Sequence, residues 1–190
     1  GEPAEAYAMQ ANLIPLLLHI QPPRGGGRVW LERFSPLFRD YGTAAGARPE
    51  PSYALVYPEG TALDDAAYFF EYRLEDALPD EAYAALLQQM MAWTDAWAGD
   101  VKPSLVHRGV PGFVEIEDRR DPAAEGVHRL EGAAADLYLG LVERPLQAGA
   151  VAAAIGLDEG EVSRALEALA DRGLVMRDGP LWLALSLPAQ

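Results

Sequence analysis

The sequence predicts an α/β segment over residues 1–100 followed by an α+β unit over residues 101–190. Three observations predict it. Helical and strand periods of apolar residues alternate along the first hundred positions. Val101-Lys102-Pro103 then separates this aromatic-rich stretch from three short strands, three helices and a hairpin in succession. Half of the residues are hydrophobic, enough for a core in one or two compact units, which excludes a disordered chain.

The first helix is expected from about Ala4 to Leu18, because Tyr7, Ala11, Ile14 and Leu18 fall on one face; Pro15 should kink or restart it. Gln21-Pro22-Pro23-Arg24-Gly25-Gly26-Gly27 can only be a loop. Arg28 to Phe34 alternates and carries Val, Trp and Phe, so it reads as a strand that Ser35-Pro36 stops. Tyr41 to Glu50 is a Gly/Ala-rich connection, and a short aromatic strand is expected near Tyr53 to Tyr57. Thr61 and Asp64 have capping-box spacing for one helical turn ahead of Tyr68-Phe69-Phe70-Glu71-Tyr72, which suits a buried strand. From Asp80 to Trp97 the positions of Tyr83, Leu86, Leu87, Met90 and Trp97 are helical, and Gly99 ends the element.

In the second unit, Ser104 to Arg108 and Phe113 to Glu117 flank Gly109-Val110-Pro111-Gly112, read as a four-residue hairpin loop. Val127 to Leu130 is a third strand. Helices follow over Ala133–Glu143, Leu146–Ile155 and Asp158–Arg172, the last opened by a capping box of Asp158 and Glu161 and striped by Val162, Ala165, Leu166 and Leu169. Val175 to Arg177, a turn at Asp178-Gly179-Pro180, and Leu181 to Leu187 form a closing hairpin. Three strands, three helices and such a hairpin are the order of a winged helix-turn-helix.

Composition narrows what such a unit can do. Fifteen basic against twenty-nine acidic residues give a net charge of −14, which repels phosphate backbones and anionic lipid. The third helix carries two arginines, Arg164 and Arg172, against five carboxylates, where a DNA-recognition helix brings cations to phosphates and base edges. No nucleic-acid partner is expected. The longest apolar run, Leu13 to Ile20, holds Pro15 and His19 and falls well short of the roughly 20 residues of a membrane span. No membrane partner is expected, no signal peptide is visible, and a cytoplasmic location is expected. The chain opens at Gly1 without a methionine, as a processed terminus, a tag scar or a fragment would.

Zero cysteines exclude a disulfide framework, a thiolate zinc site, a cysteine nucleophile and a cysteine-ligated iron–sulfur cluster. His19, His107 and His128 have no metal-ligand spacing; His107 and His128 could meet on adjacent strands, but ordinary surface positions and no metal site are expected. Gly25-Gly26-Gly27 lacks the lysine and hydroxyl of a phosphate loop, and no serine sits at a strand-to-helix elbow. Two places remain. One is the strand at Val127, His128, Arg129 and Leu130, whose edge an extended peptide could join beside Arg164, Glu167 and Ala168 of the third helix. The chain's own first half could equally cover that edge. The other is the tip of the 28–34 strand.

Several segments, in order, resemble the C-terminal portion of cobalamin-binding radical S-adenosylmethionine (SAM) enzymes. These mature ribosomally synthesised peptides (RiPP maturation), commonly as C-methyltransferases. The segments are Gly1-Glu2-Pro3-Ala4-Glu5, Leu13-Ile14-Pro15-Leu16-Leu17-Leu18-His19-Ile20-Gln21-Pro22-Pro23, Arg33-Phe34-Ser35-Pro36, Tyr57-Pro58 and Ala67-Tyr68-Phe69-Phe70, and the similarity runs on to Leu187-Pro188. The resemblance implies that residues through about Tyr72 finish a partial β/α barrel and that the remainder is a peptide-recognition cap. It further implies S-adenosylmethionine, a 4Fe–4S cluster and cobalamin in the complete enzyme, an upstream radical SAM and cobalamin-binding portion or subunit, and a precursor peptide as partner. Arg33 and Ser35 at the strand tip, then Arg28 and Arg24, become candidates for substrate or cofactor contact. The cluster cysteines lie upstream in relatives, so this chain has no catalytic residue of its own and binds none of these cofactors alone. The alternatives are a free-standing winged-helix transcriptional regulator and a protein-interaction module.

Overall fold

The computed structural model describes residues 2–42, 46–74, 77–123 and 126–189 and has a mixed α/β fold with open sheets. Gly1 of the resemblance and residues 43–45 of the Gly/Ala-rich connection lie outside them. Among the described residues no helix is long and apolar enough to cross a membrane.

Helix α1 (Ala4–Leu17) buries Ala11 and Ile14, as the apolar spacing predicts. It runs through Pro15 and ends two residues later. Donors from the rest of the fold hold this end: the indole N–H groups of Trp97 and Trp93 reach the Leu18 and Ile20 carbonyls at 2.7 and 2.9 Å. Both tryptophans sit on α5 (Glu81–Ala98), which packs along α1, with Tyr7 edge-on to Tyr83 at 4.8 Å.

Between these helices lies a small sheet, β1 (Leu31–Glu32), β2 (Arg48–Pro49) and β3 (Phe69–Glu71), ordered β1-β3-β2. Both pairings in this sheet are antiparallel, where a barrel wall is expected, and the strand expected over 28–34 is only two residues long. It stops early because Phe34 takes a left-handed φ of 72° and Ser35-Pro36 begins α2 (Pro36–Tyr41). The strand expected near 53–57 is instead one helical turn, α3 (Tyr53–Val56), since the Tyr53 hydroxyl must reach the Tyr68 and Phe69 N–H groups at 2.9 and 3.1 Å. The turn before β3 exists as α4 (Leu63–Ala66), but Thr61 does not cap it; its hydroxyl donates to the Pro58 carbonyl. Among the described residues, the core of this small sheet buries Leu31, Ala67 and Phe70.

The second unit holds the main core. Strands β4 (Leu105–Val110), β5 (Phe113–Asp118) and β6 (Gly126–Glu131) form a meander that sends Leu105, Val114, Ile116 and Leu130 inward. The first loop is two residues, not four: Val110 pairs with Phe113 across Pro111-Gly112, where Gly112 has φ 80°. Helix α6 (Ala133–Gly140) packs on β5 and β6, α7 (Ala148–Ile155) packs on α6 and α8 (Glu159–Asp171) on α7, so Tyr138, Val151, Val162 and Leu166 join one core. The second helix starts later than expected because β7 (Leu146–Gln147) pairs with the hairpin β8 (Val175–Asp178) and β9 (Leu181–Ala184), in the order β7-β9-β8. The hairpin's second arm ends at Ala184, and β10 (Leu187–Pro188) crosses to pair in parallel with β4.

Asp158 caps α8, accepting from the Gly160 and Glu161 N–H groups at 2.8 and 3.2 Å, which is the Asp158 half of the expected capping box. At the other end Gly173, with φ 66°, closes a double-bonded C-cap: its N–H donates to Ala170 and that of Leu174 to Leu169. A Cβ here would lie 3.1 Å from Leu16 Cδ2 and 3.3 Å from Arg120 Nη2. Gly173→Ala is therefore expected to lower stability by about 1–2 kcal/mol, the cost of a left-handed non-glycine residue, or more if Leu16 and Arg120 cannot yield. Urea unfolding measures it.

Candidate functional site

The four-stranded sheet, ordered β10-β4-β5-β6, is closed on one side by β10 and open at β6. The hairpin register decides what that edge offers. The Gly132 N–H donates to the Gly112 carbonyl at 2.8 Å, and opposite pairs in an antiparallel ladder alternate in bonding. Gly126, His128 and Leu130 therefore exchange both bonds with β5, while Val127, Arg129 and Glu131 direct N–H and C=O away from the sheet. Arg129 is additionally steadied by Glu115 across the ladder, at 2.9 Å.

Helix α8 packs on α7 and β8, and only its C-terminal end reaches β6. Arg172, its C-cap, donates from Nη2 to His128 Nδ1 at 2.8 Å, so β6 and the end of α8 touch. Burial first, and then the charge of Arg172, hold His128 below its ordinary pKa, which keeps Nδ1 a proton-free acceptor. Ala168 lies one turn before Arg172 and is exposed. Glu167 belongs to the opposite flank, where it pairs with Arg177 of β8 at 3.2 Å. Arg164 folds back onto the Gly160 carbonyl of its own helix. Of the residues expected here, the structure places Val127, His128, Arg129 and Leu130 on the edge strand, ties Arg164 to its own helix and turns Glu167 toward the hairpin, and brings none of the three expected α8 residues to the strand. It adds Arg172, whose contact depends on long-range packing.

The first-unit candidates do not converge. Arg33 donates through Nε to the Ala67 carbonyl at 2.6 Å and through Nη2 to the Asp64 carbonyl. Its guanidinium lies 4.9 Å from the Phe70 ring centre, so it clamps β1 to the α4–β3 junction. Ser35 caps α2 by accepting from the Phe38 N–H at 3.0 Å. Arg28 pairs with Asp80 on the surface, and Arg24 is an exposed loop residue.

Sequence reasoning missed the buried polar groups. His107 is not a surface residue: it is buried on β4, with Nδ1 2.9 Å from the Ser186 hydroxyl, itself 2.7 Å from the Tyr138 hydroxyl. Nor does it meet His128, because both stand opposite Ile116 on the two sides of β5. The Ser186–His107 pair is buried, and among the described residues no second side chain hydrogen-bonds the His107 ring to orient it, as a nucleophile–base pair needs. It serves as a hydrogen-bonded plug where the chain crosses from β9 to β10. His19, also buried, holds its Nε2 2.7 Å from the Leu185 carbonyl, and its Nδ1 has no hydrogen-bond partner.

Burial lowers the pKa of both His19 and His107, so each is neutral in the folded protein. Below about pH 6.5 an unfolded histidine takes up a proton that these two resist. The unfolded state then binds more protons, and stability present above that pH is lost as pH falls. Urea midpoints measured from pH 7.5 to 5 are expected to decline, and His19→Gln, which retains a donor for Leu185, should flatten the decline.

Among the described residues no three His, Asp or Glu side chains are grouped to hold a metal ion. Without cysteine the chain offers no thiolate ligand, so its residues do not fit the 4Fe–4S cluster. No protein-family model matches the chain, and neither the curated proteins nor the solved structures include a significant match.

Proposed function

We propose that this chain is the C-terminal portion, or a split partner, of a cobalamin-dependent radical SAM enzyme that modifies a precursor peptide, usually by C-methylation. In this reading residues 105–188 are a winged helix-turn-helix cap, with α6, α7 and α8 as its helices and β8–β9 as its wing. The small antiparallel unit abuts the barrel of the enzyme, and the cluster, S-adenosylmethionine and cobalamin belong to the remainder. The observation that carries the reading is the open β6 edge: three residues with outward backbone donors and acceptors, with Arg172 from the end of α8 held against His128. An extended peptide adding there would gain main-chain hydrogen bonds from the strand and side-chain selection from the end of α8.

The order of three helices and a hairpin also supports a transcriptional regulator. The charges of α8 weigh against it, with Arg164 and Arg172 both engaged within the protein. Titrating the chain with its cognate precursor peptide and with duplex DNA at low salt separates the two, since DNA affinity falls steeply with added salt. Micromolar peptide binding with perturbed β6 amides is the expected outcome. Tight, salt-sensitive DNA binding without peptide binding would replace this reading by the regulator.

A further inference from the structure

We propose a second binding site, on the outer face of the β1-β3-β2 sheet, that takes the cationic side chain of a peptide, arginine or lysine, between two carboxylates and three aromatic rings. Strand alternation builds it. Leu31 and Phe70 point into the core, so Trp30, Glu32 and Phe69 project from the other face. Glu32 pairs with Phe69 across β1–β3, and the Glu50 N–H donates to the Phe69 carbonyl from the β2 side. One row across the sheet therefore reads Glu32, Phe69, Glu50. Trp30 stands edge-on to Phe69 at 5.3 Å, and Tyr53 closes the other side, leaving a cleft of about 540 Å³.

The chemistry of this cleft selects a cation. Glu32 accepts from the Tyr68 hydroxyl at 3.2 Å, and Glu50 accepts from the N–H and hydroxyl of Ser52; these bonds orient both carboxylates without neutralising them. Among the described residues neither forms an ion pair, and no cation lines the cleft. Arg48 stands one row farther on, opposite Glu71, and Arg33 is clamped to backbone carbonyls. Trp30 remains 66 % exposed, an indole available to a guanidinium or ammonium. Rings that attract a cation through their faces, beside two unneutralised carboxylates, favour an organic cation over an anion or a neutral group. The site is separate from the β6 edge and does not depend on the reading given to that edge.

The test uses the whole chain labelled with nitrogen-15. Capped Gly-Arg-Gly is titrated against the same tripeptide with citrulline, which keeps the shape and removes the charge. The Trp30 indole signal, assigned with Trp30→Phe, should shift with a Kd on the order of 1 mM, as expected for one charged side chain. Citrulline should bind at least about tenfold more weakly, the range of one cation–π contact plus one ion pair. Glu32→Gln combined with Glu50→Gln should weaken the arginine peptide by a similar factor. Equal shifts from the two peptides, or an unmoved Trp30 indole, would overturn the site. That comparison is made on the unaltered protein and holds even where the double variant fails to fold.

Discussion

Replacing Arg120 with alanine is expected to cost about 3 kcal/mol of folding stability, the usual loss when one member of a buried ion pair is removed. Arg120 is 8 % exposed and binds Asp118 through two parallel bonds, Nε to Oδ1 at 2.9 Å and Nη2 to Oδ2 at 2.6 Å. Its third donor, Nη1, holds the Leu16 carbonyl at 3.0 Å. That bond ties the end of α1 to the second unit, where Leu16 and Leu17 also pack on the main core. Two acceptors, Asp118 Oδ2 and the Leu16 carbonyl, thus lose their partner in one substitution, while Oδ1 keeps the backbone N–H of residue 120 at 3.1 Å. Burial would raise the Asp118 pKa, but the hydrogen bonds and charge of Arg120 together overcome it and leave the carboxyl below its ordinary value. Stability from this pair is accordingly present above about pH 4 and is lost as pH falls further.

In the variant the burial of Asp118 is opposed mainly by the backbone N–H of residue 120, so its carboxyl ionises less readily than in the wild type. The difference between wild type and variant should then be full at pH 7 and narrow toward pH 3. Urea unfolding at both values measures this, and hydrogen exchange of the Leu17 to Ile20 amides reports release of α1. Arg120→Lys keeps a charge but not the planar fork, so it should recover only part of the loss. A change below about 0.5 kcal/mol at pH 7 would show that the pair is solvated and that α1 is held by its tryptophan contacts and by the packing of Leu16 and Leu17. Because Gly173 leaves the space in which the guanidinium lies, Gly173→Ala and Arg120→Ala should not be additive.

Arg120 also marks where the sequence stops being informative. Helices α1, α5 and α8 are legible because each repeats apolar residues over several turns, and the stripe Val162, Leu166 and Leu169 is buried as expected. Short elements are not. Tyr53-Ala-Leu-Val has the composition of a strand, yet the bond from its tyrosine to residues fifteen and sixteen positions later makes it a helical turn. Arg33 at a strand end reads as a substrate contact until the Ala67 and Asp64 carbonyls take its donors. The signal available for both was only the aromatic clustering around them. For the β6 edge, the strand and its alternation were readable. The four-residue loop at Gly109–Gly112 would shift every β4–β5 partner by two positions while keeping each side chain on its face. Which amides point outward on β6 is set by the β5–β6 register, a long-range pairing that no local pattern encodes.

That register makes the last expected result specific. Arg129→Pro should weaken precursor-peptide binding by about tenfold or more while lowering stability by only about 1 kcal/mol. The Arg129 N–H points away from β5, so proline removes no bond within the sheet, and edge strands tolerate proline at such positions. The bonded pair that would be broken by proline belongs to His128 instead. An incoming strand, however, loses one main-chain hydrogen bond, worth about 1 kcal/mol, and meets the ring where its own carbonyl should lie. About 1.4 kcal/mol is a tenfold change in affinity. Arg129→Ala separates backbone from side chain: it removes the Glu115 ion pair, a half-exposed contact of little energetic weight, and retains the N–H. It should bind peptide within about threefold of wild type. If alanine and proline weaken binding equally, the peptide is held by the arginine side chain and not by the strand edge. If neither matters, the peptide does not dock on β6, and the cap reading loses the observation on which it stands.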